Sequence, residues 1–117
     1  MTQWQDVCSV SDLQANSGIC ALVAGKQVAI FYVPAHDAGQ PDLCYAVGNY
    51  DPIGQANVLS RGICGDIHGQ TVVASPLYKQ HFNLLTGACL EDAEVSIPAY
   101  GVRIQNDRVE VNVGGGA

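Results

Sequence analysis

Positive charge is scarce in this chain. Five Lys and Arg stand against eleven Asp and Glu in 117 residues, giving a formal net charge of −6. Lys26, Arg61, Lys79, Arg103 and Arg108 are spread along the sequence without clustering. A phosphate backbone is held by a concentrated basic face, so nucleic acid is not an expected partner, and an acidic membrane surface is disfavoured for the same reason. No apolar run approaches the roughly 20 residues of a membrane-spanning helix. The longest, from Val28 to Ala35, reads as a buried strand. Residues Met1 to Asp6 have neither the positive start nor the apolar core of a secretory leader, so the expected location is the cytoplasm. Cys-x-x-Cys is absent. The five cysteines, at positions 8, 20, 44, 64 and 89, are odd in number and irregularly spaced, which argues against a disulfide framework and for small buried hydrophobes kept reduced. The chain also lacks the Gly-x-Gly-x-x-Gly fingerprint of a dinucleotide site and any four-cysteine cluster set.

Hydrophobic residues make up 48 % of the chain, enough for one packed core at this length. Residues 1–113 read as a single domain, and Gly114 to Ala117 as a flexible glycine-rich tail. Short β-branched runs separated by turn residues predict an all-β fold. Trp4 to Cys8 opens it, and Ser11 is placed to cap one helical turn. Ile19 to Val23 and Gln27 to Val33 flank the turn Ala24-Gly25-Lys26. Leu43 to Val47 follows. Gly62 to Gln70 reads as a loop or tight hairpin, and Thr71 to Ala74 as a strand. Val102 and Ile104, then Val109, Val111 and Val113, alternate with polar residues around the turn at 105–108 and predict a hairpin with one buried face. Periodicity by itself reaches a small antiparallel sandwich or barrel.

Two stretches carry more information. Ser75-Pro76-Leu77-Tyr78, two further residues, then Phe82-Asn83-Leu84-Leu85-Thr86-Gly87 resembles the second ligand box of Rieske [2Fe–2S] domains, whose core is Cys-Pro-Leu-His. Upstream, Asn49-Tyr50-Asp51-Pro52-Ile53-Gly54, with Leu59-Ser60-Arg61-Gly62 after it, resembles the first box, whose core is Cys-x-His. The ligand positions hold Tyr50, Pro52, Ser75 and Tyr78. A Rieske cluster takes two thiolates on one iron and two imidazoles on the other. Proline has no side-chain donor atom and a serine hydroxyl is a poor substitute for a thiolate. The resemblance therefore implies a Rieske-like fold, with two loops facing each other, and no cluster or other cofactor in this chain.

The pattern of replaced ligands is similar to that of the small subunits of assimilatory NAD(P)H-dependent nitrite reductases, over about Trp4 to Val113. That resemblance implies an accessory subunit without an active site of its own. Its partner would be a large subunit carrying FAD, an iron–sulfur cluster and sirohaem, which reduces nitrite to ammonium in nitrate and nitrite assimilation. The loop tips, through Tyr50, Asp51, Ile53, Tyr78, Lys79, Gln80 and His81, are the expected contact surface, because scaffold loops carry function and aromatics are enriched at hot spots. Tyr50 and Tyr78 are also placed to meet where a cluster would sit, as packing.

Other constellations stay open at this level. Cys64-Gly65-Asp66-Ile67-His68 brings a thiol and an imidazole close in sequence, as half of a metal site completed by Cys44 and His36, or as a nucleophile and base oriented by Asp66. A rival reading is a Rieske-type electron-transfer protein that binds [2Fe–2S] through Cys44, Cys64, His68 and His81. A third is a stand-alone enzyme using Cys64. The simpler readings are a glycine-rich turn at 64–68, an exposed strand residue at His81 and a solvated His36-Asp37 loop.

Overall fold

Left-handed turn residues cut the β-branched runs of this chain into hairpins, and the computed structural model describes residues 4–34, 43–77 and 79–113 of the result. Among these, eleven strands form three sheets. The large sheet has six strands in the order β1-β11-β10-β4-β3-β2. These are β1 (Gln5–Ser9), β2 (Ser17–Val23), β3 (Lys26–Val33), β4 (Leu43–Gly48), β10 (Ala99–Gln105) and β11 (Arg108–Asn112), and every pairing is antiparallel. Its outer strands approach each other, so that Gln5 to Val7 and Ala21 to Val23 line one gap and the sheet is a nearly closed barrel.

The smaller sheets form a second lobe, with β5 (Tyr50–Asp51) paired to β6 (Ala56–Asn57), and β7 (Ile63–Ile67), β8 (Gln70–Ala74) and β9 (His81–Asn83) in sequence order. Three hairpins turn on two residues each with positive φ, which matches the right-handed twist of the strands they join: Ala24-Gly25, His68-Gly69 and Asn106-Asp107. Lys26 therefore belongs to β3 and not to the turn, and the 62–70 stretch is mostly strand. The predicted helical turn is a 3-10 turn at Val10–Asp12, but Ser9 caps it, not Ser11. The hydroxyl of Ser9 accepts from Ser11 N, and Asp12 Oδ2 accepts from Ser9 N at 3.2 Å, which makes a capping box.

Strand β3 joins the two lobes because both of its faces are buried. Val28 and Ile30 point into the barrel with Val23, Ala46, Val109 and Val111. Ala29 and Phe31 point the other way, onto Val47, Leu59, Val73, Phe82, Leu84 and Ile97. Each fully buried Phe or Leu contributes about 1.5–3 kcal/mol relative to exposure. The second core holds the three-stranded sheet against the barrel and so sets where its loops project. Gly87 closes the segment after β9: its φ is +83°, and any Cβ there would run into the Ile97 carbonyl.

Candidate functional site

Two loops meet at the end of the second lobe. The first runs from Asn49 to Gly62 and the second from Ser75 to Gln80. Asn49 anchors the first. It is buried, its Nδ2 donates to Gln27 Oε1 at 3.1 Å, and its Oδ1 accepts from Ser60 N at 2.7 Å. Its backbone N–H donates to Gln27 O at 3.1 Å, so both ends of the loop are tied to β3. Asp51-Pro52-Ile53-Gly54 then turns sharply. Aspartate, proline and glycine stand at the first, second and fourth places of a turn, where each is favoured. Asp51 Oδ1 accepts from Ile53 N at 2.9 Å and from Gly54 N at 3.1 Å.

The second loop is closed by Ser75 N donating to Gln80 O at 2.9 Å and Lys79 N donating to Ser75 O at 3.1 Å. Lys79 takes a left-handed backbone, φ 64°. Among the described residues the two loops are bridged by one side-chain hydrogen bond, from the Ser75 hydroxyl to Asp51 Oδ2. Both residues are inaccessible, Asp51 at 0 % and Ser75 at 1 % exposure. Beside this bond the loops approach closely, and a Cβ built on Gly54 would meet the Leu77 side chain at Cδ1.

This geometry relocates several sequence-predicted residues. Asp51 is not part of a contact surface, because its carboxyl group is turned inward and spent on three donors. Tyr50 is 48 % exposed and does not fill the space between the loops. With Pro52, Pro98 and Tyr100 it lines a separate cavity of about 440 Å³. Tyr78 lies outside the described residues, as do His36, Asp37 and the tail at 114–117. Ile53 is half-buried and packs on the second core. Lys79 is exposed, while Gln80 and His81 are half-buried. His81 opens β9 as expected, and its Nδ1 lies 2.6 Å from Glu91 Oε2 while its backbone N–H donates to Glu91 Oε1 at 2.7 Å. Partial burial works to raise the Glu91 pKa, but the hydrogen bonds and charge of His81 outweigh it and hold the carboxyl below its ordinary value.

The [2Fe–2S] group of the fold is not matched by the residues present. The serine at a thiolate position is committed to Asp51, Tyr50 faces outward and Pro52 has nothing to offer. No group of three or more His, Cys, Asp or Glu side chains suited to a metal occurs among the described residues. The alternative ligand set is dispersed. Cys44 packs against the barrel core and Cys64 against the other core, and burial pushes both thiols up to about 11. His68 sits exposed in a hairpin turn, where Asp66 Oδ1 accepts from Gly69 N at 3.0 Å instead of orienting an imidazole. The nucleophile–base reading of Cys64 therefore loses its geometry.

The roles of Asn49, Asp51 and Glu91 were not drawn from the sequence. The Asp-Pro-x-Gly order is a readable turn signal for Asp51, whereas nothing local foretells that Glu91 reaches His81.

The model of the Rieske-like [2Fe-2S] domain family matches residues 3–112. The nitrite reductase (NADH) small subunit of Salmonella typhimurium is 42 % identical over 111 residues, covering 95 % of this chain and 98 % of that protein. The NMR structure of the Escherichia coli protein NirD superposes with a TM-score of 0.85 at 40 % identity, covering 98 % of this chain and 100 % of that one. A nitrite reductase [NAD(P)H] large subunit from Klebsiella oxytoca is 36 % identical over 108 residues, which are 92 % of this chain but 11 % of that longer one. The chain belongs to the Rieske-like domain family and, within it, to the small subunits of NADH-dependent nitrite reductase, an oxidoreductase.

Proposed function

We propose that this chain is a cluster-free accessory subunit that docks its two loop tips on the large subunit of a cytoplasmic nitrite reductase, in the reduction of nitrite to ammonium during assimilation. The observation that carries the docking is the Klebsiella relative: a large subunit that contains a stretch similar to 92 % of this chain. Covalent linkage in one protein holds the two parts at high effective concentration, which a separate small subunit must replace with an interface. Among the described residues no helix is long and apolar enough to cross a membrane.

The Asp51–Ser75 bond supports the cluster-free part of the reading. In a cluster-bearing domain of this fold, ligands from both loops converge on one metal centre. Here a buried hydroxyl–carboxyl bond ties the same loops together. The chain then contributes shape: two loops tied to each other, whose proposed contact residues are Tyr50, Ile53, Tyr78, Lys79, Gln80 and His81. Electron transfer is left to the partner.

Two measurements test this. Tyr50→Asp introduces charge at the exposed tip of the first loop and is expected to abolish co-purification with a tagged large subunit; an undiminished complex would remove Tyr50 from the interface. Anaerobically purified protein is expected to contain neither iron nor acid-labile sulfide. Two of each per chain would reverse the reading in favour of electron transfer through non-standard ligands.

A further inference from the structure

Three of the five lysine and arginine side chains of this acidic protein are engaged within the fold. Arg103 Nε lies 2.6 Å from Glu110 Oε1, Arg108 makes a bidentate pair with Asp6 at 2.9 and 2.7 Å, and Lys26 Nζ stands 6.0 Å from the centroid of the Tyr100 ring. Arg61 and Lys79 are different. Neither side chain has a hydrogen bond or ion pair among the described residues. They come from different loops, Arg61 from the end of the first and Lys79 from the second, yet they line one open cavity of about 370 Å³ with Ile63, Ala74, Ser75, Pro76 and His81. The Glu91 carboxylate, which reaches the lining residue His81, is already held by both hydrogen bonds to it.

Ile63, Ala74 and Pro76 make part of the lining of this cavity apolar. Ile63 is 76 % exposed, and Leu77, the residue after Pro76 on the second loop, is 45 % exposed. An arginine fork and a lysine facing one space form a carboxylate receptor, and the arginine supplies the planar two-donor geometry. A small inorganic anion would make no use of the exposed Ile63 and Leu77. An acidic side chain carried on a polypeptide uses both, with the charge pair at the centre and apolar contacts excluding water around it.

We infer that the Arg61–Lys79 cavity receives an Asp or Glu side chain of the large subunit, flanked there by apolar residues that cover Ile63 and Leu77. This rests on the docking reading above and states the chemistry of the partner's side of the interface. It also gives the second loop a role separate from that of Tyr50, since Tyr50 lines a different cavity on the first loop.

The test uses the full chain and its large subunit, with affinity measured at about 50 and 300 mM NaCl. Arg61→Glu and Lys79→Glu are each expected to weaken binding at least about tenfold, and the two together by more, as for truncated charge pairs at an interface. Wild-type binding is expected to weaken with salt, and the loss with salt to shrink in the double variant. Arg108→Glu, an equal charge change away from the cavity, is expected to bind as wild type. Amide NMR spectra of each variant confirm folding. Normal affinity of both Arg61→Glu and Lys79→Glu, with Tyr50→Asp still disruptive, would overturn this inference and leave the docking reading standing. Absence of any wild-type binding would overturn both. Saturable, site-specific shifts of Arg61 and Lys79 signals with sodium nitrite or phosphate at constant ionic strength, combined with unaltered large-subunit affinity, would make the cavity a small-anion site and overturn the inference as well.

Discussion

Removing the Ser75 hydroxyl isolates the bond that joins the two loops. In Ser75→Ala the Asp51 Oδ2 atom loses its donor in a site with no access to water. A buried hydrogen bond to a carboxyl group is worth about 1.5–3 kcal/mol net, and a stranded buried acceptor adds to the loss. The expected destabilisation is about 2–3 kcal/mol, or a fall in Tm of about 8–12 °C for a domain of this size. Asp51→Ala removes the acceptor for Ile53 N–H, Gly54 N–H and the Ser75 hydroxyl together, and is expected to cost about 3 kcal/mol or more. Because the residues share one bond, the double variant is expected to be less destabilised than the sum of the singles by about 1–2 kcal/mol. Ser75→Cys restores the residue type of the Rieske box but offers a weaker donor, and is expected to fall about 1 kcal/mol below wild type. Urea denaturation with unchanged m-values is the assay. A Ser75→Ala protein within about 0.5 kcal/mol of wild type, which is the ordinary range for an uninvolved surface change, would refute the bridge.

Two further outcomes follow from the titrating groups. At pH 8, thiols raised to about 11 are ionised to roughly one part in a thousand, so Cys44 and Cys64 are expected to react slowly with iodoacetamide while the exposed Cys20 reacts first. Labelling of Cys64 at the rate of Cys20 would revive it as a nucleophile. The Glu91 carboxyl is expected to titrate below the ordinary 4.5 and to move back up in His81→Ala. A depressed carboxyl pKa stabilises the fold above the ordinary value, and that contribution is lost as pH falls through the folded value. A Glu91 titration indifferent to His81→Ala in an NMR pH series would show that the pair does not form in solution.

The amino-acid sequence by itself carried the class of fold and the family. Alternation in Val109–Val111 and the unbroken run after Val28 are period-two and doubly buried strand signals, and both are local properties of the chain. The ligand boxes are local as well: the frame from Pro76 to Gly87 and the substitutions at Tyr50, Pro52, Ser75 and Tyr78 are legible without coordinates. How the two boxes are joined in space was not legible. Tyr50 and Asp51 are neighbours in sequence, but adjacent strand residues point to opposite sides, so a single pleat decided that the phenol faces solvent and the carboxyl faces Ser75. That pairing spans 24 positions. Arg61 and Lys79 are 18 apart in number, His81 and Glu91 ten, and no periodicity links either pair. Only the packing of β7, β8 and β9 onto the barrel through Phe31, Phe82 and Leu59 brings those loops to one end of the molecule, because side-chain proximity across loops is set by the core beneath them.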